Sequence, residues 1–203
     1  MKCVYRELKE NVTDTTFPIL PVVLERSYFY QTEASQEIDI SSLIPASLKY
    51  NTIRLEATVK FMSLDNSVNS YVVYLRGGAG TVVAYGTDAS ACIYDTYLRV
   101  RASDKIGQDI PFVFDGSTNF VSVGSSTKTG TAPVSDSAIQ SGKLFGNASL
   151  LTLPKVKEIK IYDQTTQTLV AHLVPATLNG VGIVYDKVSG AALQPSTGSL
   201  GID

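Results

Sequence analysis

With 44% hydrophobic and 18% charged residues, this 203-residue chain is apolar enough to bury a sizeable core and too sparsely charged to stay disordered. Its 17 Lys and Arg against 19 Asp and Glu leave a net charge of −2 without a basic block, so the counterion release that drives nucleic-acid binding has no source. Cys3 and Cys92 stand far apart with no CxxC, which argues against a disulfide framework and against a zinc site.

Residues 1–20 read as a segment apart, and residues 21–203 as one domain. The first sixteen residues mix Lys2, Arg6 and Lys9 with Glu7 and Glu10. They are charged where a signal peptide needs an apolar run, and the following FPILPVVL is cut by Pro18 and Pro21, so no exported leader or membrane span is expected. Two readings of this segment stay open: a frayed lead-in, or an arm that docks on a neighbouring subunit.

The next β-prone runs are VVLERSYF (22–29) and EIDI (37–40). TIRLEATVKFM (52–62) is the clearest local signal, with Ile53, Leu55, Ala57, Val59 and Phe61 on one face and Arg54, Glu56, Thr58 and Lys60 on the other. Period two marks an antiparallel strand with one buried side. Weaker alternation follows in SYVVYLR (70–76), TVVAY (81–85), ACIY (91–94), YLRVRA (97–102), IPFVF (110–114) and NFVSV (119–123). The Ser-, Thr- and Gly-rich residues 122–142 read as a long surface loop that buries little. VKEIKIYD (156–163), LVAHLV (169–174) and VGIVY (181–185) close the series. Asp65-Asn66, residues 77–80, Asp115-Gly116, Asn179-Gly180 and Ser189-Gly190 supply the reversals. About a dozen short strands at this spacing, with no sustained helical periodicity, define an all-β sandwich or barrel.

Assembled chemistry is sparse. His172, the lone histidine, lies on the opposite strand face from Leu169, Ala171 and Leu173; without a second ligand or a nucleophile it reads as structural. No GxSxG, HExxH, P-loop or GxGxxG occurs. Glu37 and Asp39 share a strand face about 6.6 Å apart by strand rise, and paired carboxylates carry out glycoside hydrolysis. Asp65, Asn66 and Asn69, or Asp115 and Asn119, offer loop oxygens, but neither set has EF-hand spacing and closing turns is the favoured role. Neither catalytic residues, nor a metal, nor a cofactor is expected. Among eleven tyrosines, Tyr71, Tyr74, Tyr94 and Tyr97 are the candidates for a sugar-stacking surface.

The C-terminal stretch VKEIKIYDQTTQTLVAHLVPATLNGVGIVYDKVSGAALQPSTG, with KIYD at 160–163, a strand ending at Val174-Pro175 and a Gly-bearing YDKVSG turn within 182–190, resembles the closing signature of concanavalin A-like (laminin-G-like, jelly-roll) domains of gut bacteria and their phages. The stretch FYQTEASQEIDISSLIPASLKYNTIRLEATVKF looks like that family's opening, so the resemblance spans about residues 22–197. His172 and Ala191-Ala192 depart from the pattern. EIDI is similar to the EIDxE or EIDxxE motif of retaining laminarinases and lichenases, but Ser41, Ser42 and Leu43 follow, and the second glutamate is missing. The resemblance implies a concanavalin A-like jelly-roll sandwich of two antiparallel sheets. In it Asp163 and Asp186 cap turn amides and Gly190 takes left-handed geometry.

The function expected from this is a non-enzymatic bacteriophage virion protein, either an auxiliary or decorating capsid subunit or a fibre component. Its partners would be other capsid or fibre subunits, in part through residues 1–20, in a homo-oligomer or larger assembly. Synthesis in the host cytoplasm and residence in the virion go with it, and neither nucleic acid nor membrane is an expected partner. The alternative is a carbohydrate-binding module for host or mucosal glycans.

Overall fold

The computed structural model describes residues 23–33, 36–62, 71–77, 80–85, 90–93, 98–101, 107–131, 133–145 and 154–203, the short spans 80–85, 90–93 and 98–101 by backbone alone. Its strands are β1 (Val23–Glu25), β2 (Phe29–Tyr30), β3 (Ile38–Asp39), β4 (Ile53–Lys60), β5 (Tyr71–Gly77), β6 (Gly80–Tyr85), β7 (Ser90–Ile93), β8 (Leu98–Arg101), β9 (Asp109–Asp115), β10 (Phe120–Val123), β11 (Ser126–Thr129), β12 (Ser141–Leu144), β13 (Lys155–Asp163), β14 (Thr168–Leu178), β15 (Val181–Asp186), β16 (Ala192–Leu193) and β17 (Gly201–Ile202), with one 3-10 turn at Ser41–Leu43.

Among the described residues the larger sheet runs β11-β10-β9-β4-β13-β14-β15-β16, with β1 on β14, and with β2 joining β13 and β17; the smaller runs β3-β12-β5-β6-β7-β8. All pairs are antiparallel. The molecule is thus an all-β sandwich of two antiparallel sheets.

Alternation explains the core. Ile53, Leu55, Ala57 and Val59 of β4 are buried with Ile110, Phe112 and Phe114 of β9 and Ile159 and Ile161 of β13, in one cluster with Val73, Leu75 and Leu144 from the smaller sheet. Each fully buried side chain of this size stabilises the fold by about 1.5–3 kcal/mol.

The turns form as their residue types dictate. Asn179 (φ 52°) and Gly180 (φ 81°) close the β14–β15 hairpin with two positive-φ positions, a type I′ requirement. Asp163 Oδ1 accepts the Thr165 amide at 2.8 Å. Asp186, fully buried, accepts the amides of His172 (2.8 Å), Val188 (3.3 Å) and Ser189 (3.0 Å) and the Ser189 hydroxyl (2.5 Å). Gly190 sits at φ 77°. Burial pushes the Asp186 carboxyl up, and the bonds from Ser189 and the His172 amide outweigh it, so its pKa lies below the usual carboxylate range.

Four expectations need correction. The run 22–29 is not one strand: Arg26, Ser27 and Tyr28 separate β1, which pairs with Thr177 and its neighbours, from β2, which pairs with Val156. The strand at 169–174 does not end at Pro175 but continues to Leu178. Proline is tolerated there because it falls where β13 gives way to β1 as the neighbour, between the Leu173–Ile159 and Ala176–Glu25 pairs. Leu169 does not share a face with Ala171: Val170 is an extra residue in the ladder, so Leu169 stands opposite Tyr162. Residues 122–142 are not a plain surface loop. They complete β10, form β11, and bury Val134 and Ile139, held by Tyr50 and Asn51 amides on the Ser137 and Ser135 carbonyls.

The 1–20 segment, Cys3 and the Asp65-Asn66-Asn69 cluster lie outside the described residues.

Candidate functional site

The outer face of the smaller sheet holds the candidate site. On β5 the burial order places Tyr71, Tyr74 and Arg76 outward and Val72, Val73 and Leu75 fully inside. Strict alternation would put Tyr71 and Tyr74, three residues apart, on opposite faces. They come together because Val72 is an inserted residue: Tyr71 pairs with Tyr85 and Val73 with Ala84 across β6. A β-bulge re-aims one side chain in this way. The two rings lie 5.2 Å apart between centroids at 35°.

β12 supplies the next column. Ser141 pairs with Arg76 and Lys143 with Tyr74, and both face out while Gly142 and Leu144 face in. Gly142 allows close packing, since a Cβ there would stand 2.5 Å from Ile44 Cδ1 and 2.9 Å from Ile40 Cγ1 and would force both side chains to shift. Ile40 is buried, Ile44 is packed against the core, and both border the 3-10 turn. β3 closes the edge, pairing Asp39 with Lys143. Just before it, Glu37 Oε1 accepts Lys143 Nζ at 2.7 Å. Phe145 forms the floor: it takes φ 56° at the end of β12 and turns fully inward, edge-on to Phe29 at 5.6 Å. Together Glu37, Tyr71, Tyr74, Arg76, Ser141, Lys143 and Phe145 line a cleft of about 360 Å³.

The structure therefore brings together Tyr71 and Tyr74 of the four tyrosines expected on a sugar-stacking surface; Tyr94 and Tyr97 lie outside the described residues. Arg76, Lys143 and Glu37 are additions to the site. Arg76 was legible, two residues beyond Tyr74 in an alternating strand; Lys143 was not, because it directly follows residues 122–142, whose composition signals no strand.

The carboxylates of EIDI are both engaged. Glu37 is tied to Lys143, and the Asp39 carboxyl is held below its usual range by the Ser41 hydroxyl and amide, the amide bond measuring 2.8 Å. Asp115, a candidate calcium ligand by sequence, instead accepts Ser117 and Thr118 amides, Gln164 and Arg54. Among the described residues no cluster of three His, Cys, Asp or Glu could hold a metal ion. His172 Nε2 lies 3.2 Å from Glu158 on the outer face of the larger sheet. That face also carries a cleft of about 450 Å³, where Lys187 pairs with Glu25 (2.8 Å) and Lys157 with Asp109 (3.3 Å). Among the described residues no helix is long and apolar enough to cross a membrane.

No protein-family model matches the chain, and no curated protein matches it at a significant level. Among solved structures the chain is similar to scytalido-glutamic peptidase, crystallised with a transition state analog inhibitor, at 13% identity over 89% of this chain and 100% of that one, with a TM-score of 0.35. A likeness of that size carries nothing about the chemistry of this chain.

Proposed function

We propose that this chain is a non-enzymatic structural protein of a bacteriophage virion, a decorating capsid subunit or fibre component, built on a concanavalin A-like jelly-roll sandwich. It resides in the particle after synthesis in the host cytoplasm and is bound to other virion subunits in part through residues 1–20. The resemblance at the two ends of the chain supports the family and its setting. The observation that carries the non-enzymatic reading is the state of Glu37 and Asp39: each carboxylate already has a structural partner, Lys143 or Ser41, and neither is positioned as a free acid beside a free base. Mass spectrometry of gradient-purified particles tests the proposal. Stoichiometric recovery of the chain with intact capsids is the expected result; its confinement to the soluble lysate, or release of reducing sugar from β-glucans by the purified protein, overturns it.

A second reading, carbohydrate binding by the same module, is favoured by the Tyr71–Tyr74 pair in the cleft. Paired aromatic rings offer apolar faces to the C–H side of a pyranose while their hydroxyls meet its polar edge. Glycan-array binding that disappears in Tyr74→Ala supports it, and a silent array removes it.

A further inference from the structure

We infer that the Tyr71–Tyr74 cleft takes an anionic saccharide, a pyranose carrying a carboxylate, with the sugar ring against the tyrosines and the carboxylate on the Arg76 guanidinium. The inference rests on the carbohydrate-binding reading and names the ligand class of that site. Three observations carry it. First, the cleft is lined by two cations and one carboxylate, and the carboxylate, Glu37, is committed to Lys143 at 2.7 Å; one positive charge is left over. Second, that charge is Arg76, which is exposed and has no acidic side chain within ion-pair distance among the described residues. Asp39, the nearby acid on the sheet edge, accepts the Ser41 amide and does not line the cleft. Third, Arg76 is two residues from Tyr74 on one strand face, about 6.6 Å along the strand, so a pyranose seated on Tyr74 has its exocyclic carboxylate between the ring and the guanidinium.

Guanidinium suits this role because its planar fork donates two parallel N–H bonds to one carboxylate, and charge assistance makes them stronger than neutral ones. Ser141, directly across the ladder from Arg76, adds a hydroxyl beside the same group. A neutral sugar would gain the ring contact but leave Arg76 facing water, so the acid form is preferred.

The test compares each acid with its own methyl ester, which keeps the ring and removes the charge. Trigalacturonate, a hyaluronan tetrasaccharide and sialyllactose are titrated against the protein by calorimetry at low salt, alongside Arg76→Gln and Tyr74→Ala variants whose melting confirms that they fold. At least one acid is expected to bind ten-fold or more tighter than its ester. Arg76→Gln then brings the ratio near one by weakening the acid far more than the ester, and Tyr74→Ala weakens both. If acid and ester bind the unmodified protein equally, or if Arg76→Gln leaves the ratio intact, the anionic inference falls while the carbohydrate reading stands. If neither form of any of the three binds, both fall.

Discussion

On the outer face of the larger sheet, Arg54 donates to Glu56 at 2.7 Å and to Asp115 at 3.1 Å, Lys160 and His172 converge on Glu158, and Lys60 and Lys157 share Asp109. On the outer face of the smaller sheet, one ion pair joins Glu37 to Lys143 and Arg76 stands beside two tyrosines with no acid of its own among the described residues. Both faces are built by the same alternation. The difference is that charges on the first are neutralised by register neighbours, as when Lys160 lies across from Glu56 and Arg54 across from Asp115, whereas on the second, among the described residues, the Arg76 cation has no acid across from it. Among the described residues Asp115 and Asp186, each with several partners, belong to the larger sheet and its turns, and the structural role of polar groups is expected there.

The sharpest way to break this comparison is to remove a polar group from the side of the molecule assigned to structure. Asp186→Ala strips four donors of their acceptor in a site closed to solvent, and is expected to cost about 3 kcal/mol or more in urea unfolding. Saccharide binding by the folded fraction stays unchanged. A loss under about 1 kcal/mol would mean that the turn tolerates water in place of the carboxylate.

Acid should act on the same side. Asp115 is pushed up by burial and brought below its usual range by the Ser117 hydroxyl, Gln164, the Thr118 amide and Arg54, and Asp186 is lowered likewise. A carboxyl whose folded pKa is depressed adds stability that is fully present above its unfolded value, about 3.9, and is lost as pH falls through the folded value. The urea midpoint is therefore expected to be flat above about pH 5 and to fall steeply below about pH 4. In Asp186→Asn the fall should be shallower, and a fall as steep as that of the unmodified protein would show that Asp186 does not contribute to it.

The turn residues responsible were legible because their chemistry is local: an aspartate two or three residues ahead of turn amides, or Asn-Gly between alternating runs, means the same thing in any strand pair. β4 was legible for a similar reason, its period unbroken over eight residues. The bulges at Val72, Lys157 and Val170 were not, because one inserted residue reverses the parity of the rest of its strand without any residue type announcing it. Tyr71 and Tyr74 share a face only through that hidden insertion. The burial of Val134 and Ile139 was hidden too, since it depends on the distant Tyr50–Asn51 backbone that holds their segment down and not on their Ser- and Thr-rich surroundings.

A smaller effect is expected at the exposed pairs. Glu158 and His172 are both partly open to solvent, 34% and 19% by side chain, so a double-mutant cycle with Glu158→Gln and His172→Gln should give a coupling under about 1 kcal/mol, reduced further in about 0.5 M salt. A coupling of several kcal/mol would place an unrecognised buried site on the larger sheet.

The two arginines give the most discriminating contrast, although one of its arms is the smallest effect of all. Arg54 and Arg76 are both on inner strands of their sheets, β4 and β5, and their side chains both reach the outer face. Arg54→Gln leaves Asp115, whose side chain is only 10% exposed, without its cation, although Ser117, Thr118 and Gln164 still donate to it; with Arg54 itself 37% exposed the loss, discounted for solvent screening, should be about 1 kcal/mol. Arg76→Gln removes no ion pair among the described residues, and its unfolding free energy should stay within about 0.5 kcal/mol of the unmodified protein. If Arg76→Gln destabilised as much as Arg54→Gln, the guanidinium would have an intramolecular role and would no longer be available to a ligand. If it left stability alone and yet erased the preference for acidic over esterified saccharide, the smaller sheet would be the one that faces a partner, because a buried scaffold position cannot change recognition without changing the fold that carries it.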